Sequence, residues 1–192
     1  MANSGMGGKY DVEVDRESAY EILTQVAVRA QEAQEENAQL VQILDGLLPE
    51  AVDGIMESRS NRSMPALEID GEDYVALVEI PALGLRLPVA DTWDKKVVTS
   101  RPCRFYGSAY DGSLIIGGSD RTGQFAGFTQ LPFEAEVTVT DMTGAVFTYM
   151  ITDIQRPASA DAQVLLDSDA HLSLFVRNAY GTDYILLRCT MR

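Results

Sequence analysis

The sequence is poor in the residues that most catalytic and metal sites require, with one histidine, two cysteines and one tryptophan among 192 residues. Basic residues are also scarce, because 15 lysines and arginines stand against 29 acidic residues and give a formal net charge of −14. An acidic surface repels phosphate backbones and anionic lipids. We therefore predict no nucleic-acid partner. No apolar run reaches the roughly 20 residues of a membrane helix, and no signal peptide opens the sequence.

The two cysteines do not form a metal or redox motif. Cys103 and Cys189 are too far apart in sequence for a CxxC pair, and one histidine leaves a zinc ion without ligands. We predict no metal and no cofactor. In an extracellular protein the two cysteines could form a disulfide, but two separate buried thiols fit the sequence equally well, since free cysteine packs as a small apolar residue.

The chain divides into three parts. Residues 1–14 begin with the letters MANSGMGG and predict a leader outside the fold, which leaves open a membrane anchor upstream. Residues 15–64 predict a helix followed by a polar linker, and residues 65–192 predict the main domain. The helix is indicated by Asp15, a residue suited to cap it, and by the absence of proline and glycine until Gly46.

Apolar residues cluster at the two ends of this predicted helix, while residues 29–39 are almost wholly polar. Leu40, Leu44 and Leu47 share one face at helical spacing. We therefore expect the ends to pack against the following domain and the middle to be solvated. The polar middle interrupts any sustained heptad pattern, which disfavours a coiled coil.

From residue 67 onward the pattern changes to short apolar runs separated by turns, which is typical of strands. Residues 141–144 form a predicted hairpin turn in which Gly144 can adopt a positive φ. Many short strands with few helices indicate a closed barrel or a sandwich. The predicted strands cover residues 74–80, 85–89, 114–116, 136–140, 146–153, 172–176 and 184–189.

Four ordered blocks carry a resemblance to a known family. They are residues 74–89 (YVALVEIPALGLRLPV), residues 93–94 with 101–108 (WD and RPCRFYGS), residues 114–118 with 123–131 (LIIGG and GQFAGFTQL), and residues 141–144 with 146–149 (DMTG and VFTY). In this order they resemble the sortase family, especially its class B and clostridial-type members. The resemblance implies a mostly β fold: a closed barrel of about seven to eight strands with short helices, preceded by the N-terminal helical segment.

The resemblance also locates the positions that perform catalysis in the family. A sortase uses a cysteine thiolate as nucleophile, a histidine for proton transfer and an arginine that supports the oxyanion or substrate. In this sequence the histidine position holds Ser119 and the cysteine position holds Arg177. The arginine position falls at Tyr184, or at Asp183 if the register shifts by one. The resemblance therefore implies no catalytic residue at any of the three positions.

Other residues do not supply the missing groups. His171 lies six positions before Arg177 on the same predicted strand, about 20 Å away at 3.3 Å per residue. Cys103 is expected in a loop and Cys189 at the end of the last strand. Ser119 alone is a weak nucleophile without a base.

The substitutions allow two interpretations of the former pocket. Arg177 could form a charged and hydrogen-bonded cluster with Asp183 and Tyr184 that fills it, or Arg177 could simply point to solvent. A loop with three acidic residues corresponds to one in which some sortases carry a calcium-binding acid, although a solvated surface is the favoured interpretation. The three residues are Asp161, Asp167 and Asp169.

The sequence thus predicts a catalytically inactive sortase homologue. Its partner would be a sorting-signal peptide, a pilin or an active sortase. The family implies the outer face of a Gram-positive cell membrane, with a membrane tether outside this sequence. The alternative is an active cysteine transpeptidase or hydrolase of the sortase type with displaced catalytic groups. A third interpretation is a purely structural protein whose groove binds nothing.

Overall fold

The computed structural model of this chain describes residues 16–47, 64–177 and 183–192. The predicted leader, residues 1–14, lies outside the described residues, and so does the predicted linker apart from Met64. The division into a leader, a helical segment and a main domain therefore stays a prediction. No described helix is long and apolar enough to cross a membrane.

The described residues form two helices and nine strands. The helices are α1 (Arg16–Leu47) and α2 (Ala162–Leu166). The strands are β1 (Leu67–Ile69), β2 (Glu72–Ile80), β3 (Leu85–Ala90), β4 (Cys103–Tyr106), β5 (Leu114–Ser119), β6 (Glu136–Asp141), β7 (Val146–Gln155), β8 (Leu172–Arg177) and β9 (Tyr184–Met191).

Eight of these strands close into a barrel. The sheet order is β1-β2-β3-β4-β5-β8-β9-β7-β6, and β6 pairs back onto β2. Val78 of β2 lies opposite Leu87 of β3 on one side and opposite Val139 of β6 on the other. The short strand β1 pairs with the first residues of β2 beside this closure. The predicted closed barrel of about seven to eight strands is confirmed, with β1 as an additional strand.

The core lies inside the barrel because side chains alternate between the two faces of each strand. On β8, for example, Leu172, Leu174 and Val176 are fully buried in the main apolar cluster, so Phe175 and Arg177 face outward. Phe125 and Phe128, whose rings stack with centroids 4.7 Å apart, belong to the same cluster. On the outward faces of β5, β8 and β9, Ile115, Phe175 and Leu186 belong to a separate buried apolar cluster.

Helix α1 packs against the outside of the barrel with its C-terminal half. Leu40 and Leu44 contact Tyr74 and Leu77 of β2 in a second apolar cluster, as expected from their spacing. The expected solvation of the polar middle is wrong in part, because Asn37 is only 3% exposed. Its amide donates a hydrogen bond to the Ser100 carbonyl, 3.0 Å away.

An ionic cluster joins α1 to the barrel beside this apolar contact. The Arg101 guanidinium, 5% exposed, forms ion pairs with Glu36 of α1 and Glu72 of β2, each at 2.6 Å. It also donates a hydrogen bond to the hydroxyl of Tyr74. Glu36 lies within the segment predicted to be solvated, so the polar side chains there serve partly to attach the helix.

Two further expectations are corrected. Cys103 lies in β4 rather than in a loop, because its four-residue strand carries too few apolar residues to be recognised in the sequence. The sortase block that residues 123–131 resemble implies a helix, but here these residues form turns and a single 3₁₀ turn, Phe128–Gln130. Gly123 and Gly127 adopt φ values of 83° and 93°, which a helix does not allow.

Candidate functional site

The three positions predicted to correspond to the family's catalytic residues lie side by side. In the parallel pair β5–β8, Ser119 is opposite Arg177, and in the antiparallel pair β8–β9, Arg177 is opposite Tyr184. Val176, which precedes Arg177, is buried in the barrel core, and so is Ile185, which follows Tyr184. Because side chains alternate, Ser119, Arg177 and Tyr184 share the outer face at one end of the barrel. We call these three residues the row.

Ser119 is held firmly by its backbone while its hydroxyl is left without a partner. Its N–H donates to the side-chain oxygen of Gln124 (3.1 Å), and its carbonyl accepts from the N–H groups of Arg121 (2.9 Å) and Phe125 (3.2 Å). The Oγ atom is buried and forms no hydrogen bond within the described part of the chain. A hydroxyl in this state has no base to activate it.

The cluster of Arg177, Asp183 and Tyr184 that the sequence allowed stays a prediction. Arg177 is exposed, and the ion pairs among the described residues do not include it. Tyr184 instead packs against an apolar cluster on the outer face and donates its N–H to the Pro157 carbonyl (2.9 Å). A loop carbonyl thus fixes the backbone at Tyr184, and Arg177 presents an exposed positive charge at the centre of the row.

Directly beside the row lies a cluster of aromatic rings. The next residues along the strands on this face are Gly117 and Phe175, which are paired in β5–β8. Trp93 stacks on Phe175 with ring centroids 5.5 Å apart, and Phe105 meets Trp93 edge-on at 5.4 Å. A Cβ atom at Gly117 would overlap the Trp93 ring and lie 2.6 Å from the ring of Phe175. Glycine is therefore required here because the indole covers the strand.

An open groove continues from this aromatic cluster. It has a volume of about 500 Å³. One of its residues, Tyr106, is 51% exposed, and Arg104 and Asp91 form an ion pair within it. Aromatic rings beside polar groups suit a surface that binds peptide side chains. The lining residues are Asp91, Thr92, Trp93, Arg104, Phe105, Tyr106 and Gly107.

Helix α2 forms the opposite side of the aromatic cluster. Leu165 is 1% exposed and packs with Phe175 and Leu186. The Arg188 guanidinium, 5% exposed, donates to the Leu165 carbonyl (2.8 Å), the Val164 carbonyl (2.7 Å) and the Ser173 hydroxyl (2.8 Å). Burial lowers the pKa of Arg188 from its usual value. This arginine attaches the last turn of α2 to the barrel.

The N-terminus of α2 explains one of the acidic residues in this loop. Asp161 caps the helix by accepting a hydrogen bond from the Val164 N–H (2.9 Å), and this bond is the main cause that lowers its pKa. Asp167 and Asp169 are exposed. Among residues 16–47, 64–177 and 183–192, no three His, Cys, Asp or Glu side chains are grouped as metal ligands would be.

The two thiols and the imidazole lie away from the row, although the His171 N–H donates a hydrogen bond to the Cys189 carbonyl (3.0 Å). Burial raises the pKa of Cys103 to about 11 and that of Cys189 to about 12. His171 precedes β8 at the opposite end from Arg177, and its Nδ1 accepts a hydrogen bond from the Met191 N–H (3.0 Å). The structure therefore places none of these groups where Ser119 could use it.

The disulfide that the sequence left open is not formed. Cys103 and Cys189 are both free and buried. They lie on β4 and β9, with β5 and β8 between them, a path of about 14 Å along the sheet at about 4.8 Å per strand. A disulfide needs Cα atoms within about 7 Å, so two separate buried thiols describe this protein.

Sequence reasoning missed several residues of this site. Trp93 was noted only as part of a resembling block, and Phe105, Phe175 and Arg188 were assigned no role. A signal existed for Phe175, because it alternates with the core residues of its strand and must face outward. No signal linked Arg188 to α2, since that helix was not predicted.

Comparisons with solved structures relate the barrel to one fold. It is similar to sortase A from Corynebacterium diphtheriae, with 16% identity, a TM-score of 0.56 and coverage of 63% of this chain and 61% of that chain. It is also similar to a Sortase D5 transpeptidase from Clostridium perfringens (21% identity, TM-score 0.50, 62% and 79% coverage) and to sortase E from Streptomyces avermitilis (20% identity, TM-score 0.51, 61% and 86% coverage). The chain thus spans less than two thirds of the Corynebacterium protein.

Comparisons of the sequence with family profiles and with curated proteins do not extend this structural likeness. A family profile described as Helicase HerA-like C-terminal matches residues 1–73. This span is less than half of the chain, contains no residue of the row, and holds only α1, β1 and the start of β2 among the described residues. No curated protein matches the sequence. What the comparisons show is that this chain has the sortase fold, as the four sequence blocks predicted.

Proposed function

We propose that this protein is a catalytically inactive sortase homologue that binds a peptide or protein partner along the outer face of the barrel without cleaving it. The observation that carries the proposal is the row. Its positions are arranged as neighbours across three strands, yet they hold a hydroxyl, a guanidinium and a phenol. The assignment of Ser119, Arg177 and Tyr184 to the family's catalytic positions is part of this proposal.

The chemistry of the row argues against acyl transfer. A guanidinium stays protonated at every physiological pH and cannot act as a nucleophile. Ser119 would need a general base within about 3 Å, but the only histidine of the chain, His171, lies at the other end of β8. A substrate carbonyl placed here would meet neither an activated nucleophile nor a proton carrier.

A displaced cysteine nucleophile gains no support from the thiols. A reactive cysteine needs exposure and a depressed pKa, whereas Cys103 and Cys189 are buried and have raised pKa values. We therefore propose the binding role over the displaced transpeptidase or hydrolase.

The surface next to the row supports binding. Arg177 offers an exposed charge, and Trp93, Phe105 and Tyr106 offer aromatic surface in the adjoining groove. Partners that fit a sortase fold are a sorting-signal peptide, a pilin or an active sortase. By the same likeness we propose that the protein acts at the outer face of a Gram-positive cell membrane.

The first test uses the single tryptophan as a probe. Trp93 is the only tryptophan of the chain and lies in the groove, so a bound peptide changes its emission directly. We expect saturable emission changes with some members of a panel of sorting-signal peptides, and intact peptide masses after long incubation. Peptides that saturate with the wild type are then titrated against Arg177→Ala, for which weaker binding is expected.

A graft tests the assignment of the row. The triple variant Ser119→His, Arg177→Cys, Tyr184→Arg places the family's three groups on adjacent strands. We expect Arg177→Cys alone to react quickly with a methanethiosulfonate reagent, since position 177 is exposed, and the triple variant to cleave a peptide that the wild type leaves intact. Met191→Cys, exposed but outside the row, is the matched control that is labelled without cleaving.

Two results would contradict the proposal. Peptide cleavage by the wild type that is abolished by Cys103→Ala or Cys189→Ala would establish an enzyme with a displaced nucleophile. Absence of any saturable response across the peptide panel and with candidate protein partners would remove the binding role and leave a structural relic.

A further inference from the structure

A second cleft of about 400 Å³ lies between α1 and the loop that follows β5. Residues of α1 form one wall, and residues before β4 and after β5 form the other. Its size falls in the usual range for ligand sites. The lining residues are Arg29, Ala30, Ala33, Gln34, Thr99, Ser100, Arg121, Thr122, Gly123 and Gln124.

The charge of this cleft is opposite to that of the whole protein. The chain carries a formal net charge of −14, but the cleft is lined by two arginines and no carboxylate. Arg29 comes from α1 and Arg121 from the facing loop, so two positive charges stand on opposite walls. Like charges so placed repel each other, and an anion between them removes the repulsion.

Neither arginine is neutralised within the described residues. The ion pairs and hydrogen bonds of the described residues include no side-chain contact of Arg29 or Arg121. The nearby Arg101 shows the contrast, because Glu36 and Glu72 both pair with it. The two cleft arginines therefore keep their fork-shaped donors free for a carboxylate.

The shape of the cleft favours a peptide over a single small ion. The α1 wall runs from Arg29 to Gln34, about 8 Å at a rise of 1.5 Å per residue, which exceeds the size of one phosphate. Ala30 and Ala33 leave room along that wall, and the side-chain amide of Gln34 can hydrogen-bond a peptide group. Gly123 brings the opposite wall within contact of Gln34.

We propose that this cleft binds a carboxylate-bearing peptide segment, with Arg29 and Arg121 pairing with its acidic groups from the two walls. The site is separate from the groove at Trp93. It adjoins the row at Ser119, whose N–H donates to the Gln124 side chain and whose carbonyl accepts from the Arg121 N–H. The inference does not rest on the proposed function, and it holds even if the row binds nothing.

The test titrates the whole chain with three probes and follows backbone amide signals by NMR. The probes are a capped peptide of alternating glutamate and glycine, its glutamine counterpart, and inorganic phosphate. We expect saturable shifts at Gly123 and Gln34 with the glutamate peptide only. Arg121→Gln should weaken this binding about fivefold, and the double variant with Arg29→Gln more than about tenfold, as partly exposed ion pairs allow.

Arg156→Gln is the matched control. Arg156 is exposed and lies outside the cleft, and its replacement removes the same charge as Arg121→Gln. The affinity of this control variant for the glutamate peptide should equal that of the wild type. Undisturbed signals of Leu40 and Leu44 would show that α1 remains docked in each variant. If α1 undocks in the double variant, the Arg121→Gln result decides alone, since that residue lies on the barrel.

Several outcomes overturn the inference. Equal binding of the glutamine peptide would remove the role of charge, and phosphate binding as tight as that of the glutamate peptide would make this a small-anion site. Unchanged affinity in Arg121→Gln, or no saturable shift at Gly123, would show that the cleft does not bind acidic peptides. The Trp93 titration reports on the other groove, so failure of either proposal is recognised separately.

Discussion

The attachment of α2 by Arg188 makes a quantitative prediction. Replacing Arg188 with methionine keeps most of the side-chain volume but removes three hydrogen bonds, to the carbonyls of Val164 and Leu165 and to the hydroxyl of Ser173. The Leu165 carbonyl and the Ser173 hydroxyl then lose this partner in a buried place, and the Val164 carbonyl loses it in a partly buried one. Helix α2 has only five residues and cannot hold its position by its own hydrogen bonds.

Two effects of opposite sign set the magnitude of the Arg188→Met change. Hydrogen bonds from a charged donor contribute about 1.5–3 kcal/mol each, so three of them favour the arginine by at least about 4.5 kcal/mol. Burying the guanidinium costs part of this, as its lowered pKa indicates, and removal of a buried charge relieves that cost. We therefore expect a net loss of about 3 kcal/mol in the free energy of unfolding.

Urea unfolding and amide hydrogen exchange together measure this loss. We expect the α2 amides to lose protection further than the amides of β5 and β8, because the hydrogen bonds join α2 to the barrel. Arg188→Lys is the matched control, since it keeps the charge but cannot reach three acceptors in a fork, and an intermediate loss is expected. A loss below about 1 kcal/mol for Arg188→Met, with unchanged protection of α2, would refute the argument.

Three further changes test the site. Gly117→Ala should cost about 1–3 kcal/mol and shift the emission of Trp93, because the added methyl group overlaps the indole. The thiols of Cys103 and Cys189 should resist methanethiosulfonate labelling in the native protein, and stability should fall above about pH 9, because burial raises their pKa values from 9.0 and favours the neutral form. Asp161, whose pKa is lowered by its bond to the helix backbone, should lose its capping effect as pH falls below about 4, seen as faster exchange in the first turn of α2.

Each of these changes has a control and a contrary result. Gly46→Ala, in an open part of α1, should stabilise by up to about 1 kcal/mol, and a similar gain for Gly117→Ala would contradict the overlap. Cys189→Val should reduce the alkaline loss, and an unchanged loss would assign it to other groups. Asp161→Asn still caps without a titrating carboxyl, so persistence of the acid effect in that variant would exclude Asp161 as its cause.

The barrel could be predicted because its strands carry their own pattern. Seven predicted strands correspond to seven of the nine observed, and each is marked in the sequence by a short apolar run between turn residues. Strand β4 (Cys103–Tyr106) was missed because it is short and includes Arg104. Its pairing depends on β5, which supplies the antiparallel partner. Short strands of this kind are defined by tertiary contacts rather than by local sequence.

The strand positions of the row could also be predicted from the sequence. The aromatic residues that lie beside the row could not. The positions of Ser119, Arg177 and Tyr184 follow from strand ends, and strand ends are tied to turn residues. The residues that cover the neighbouring position, Trp93 above all, come from a connecting segment without a periodic pattern. Its placement depends on the shape left by Gly117 and Phe175, which no single segment encodes.

Helix α1 shows how polar residues can mislead such predictions. The segment around Glu36 and Asn37 reads as solvated because a helix interior rich in glutamate and glutamine usually faces water. Here the barrel supplies matched partners, the Arg101 guanidinium for Glu36 and the Ser100 carbonyl for Asn37. Asn37 is therefore buried at little cost, while Glu36 remains half-exposed. The same docking leaves Arg29, two turns earlier, facing the Arg121 loop across an open cleft. The contacts that fix the C-terminal half of α1 are therefore what create the positive cleft, and a loss of the Glu36–Arg101 pair should weaken acidic-peptide binding without touching either cleft arginine.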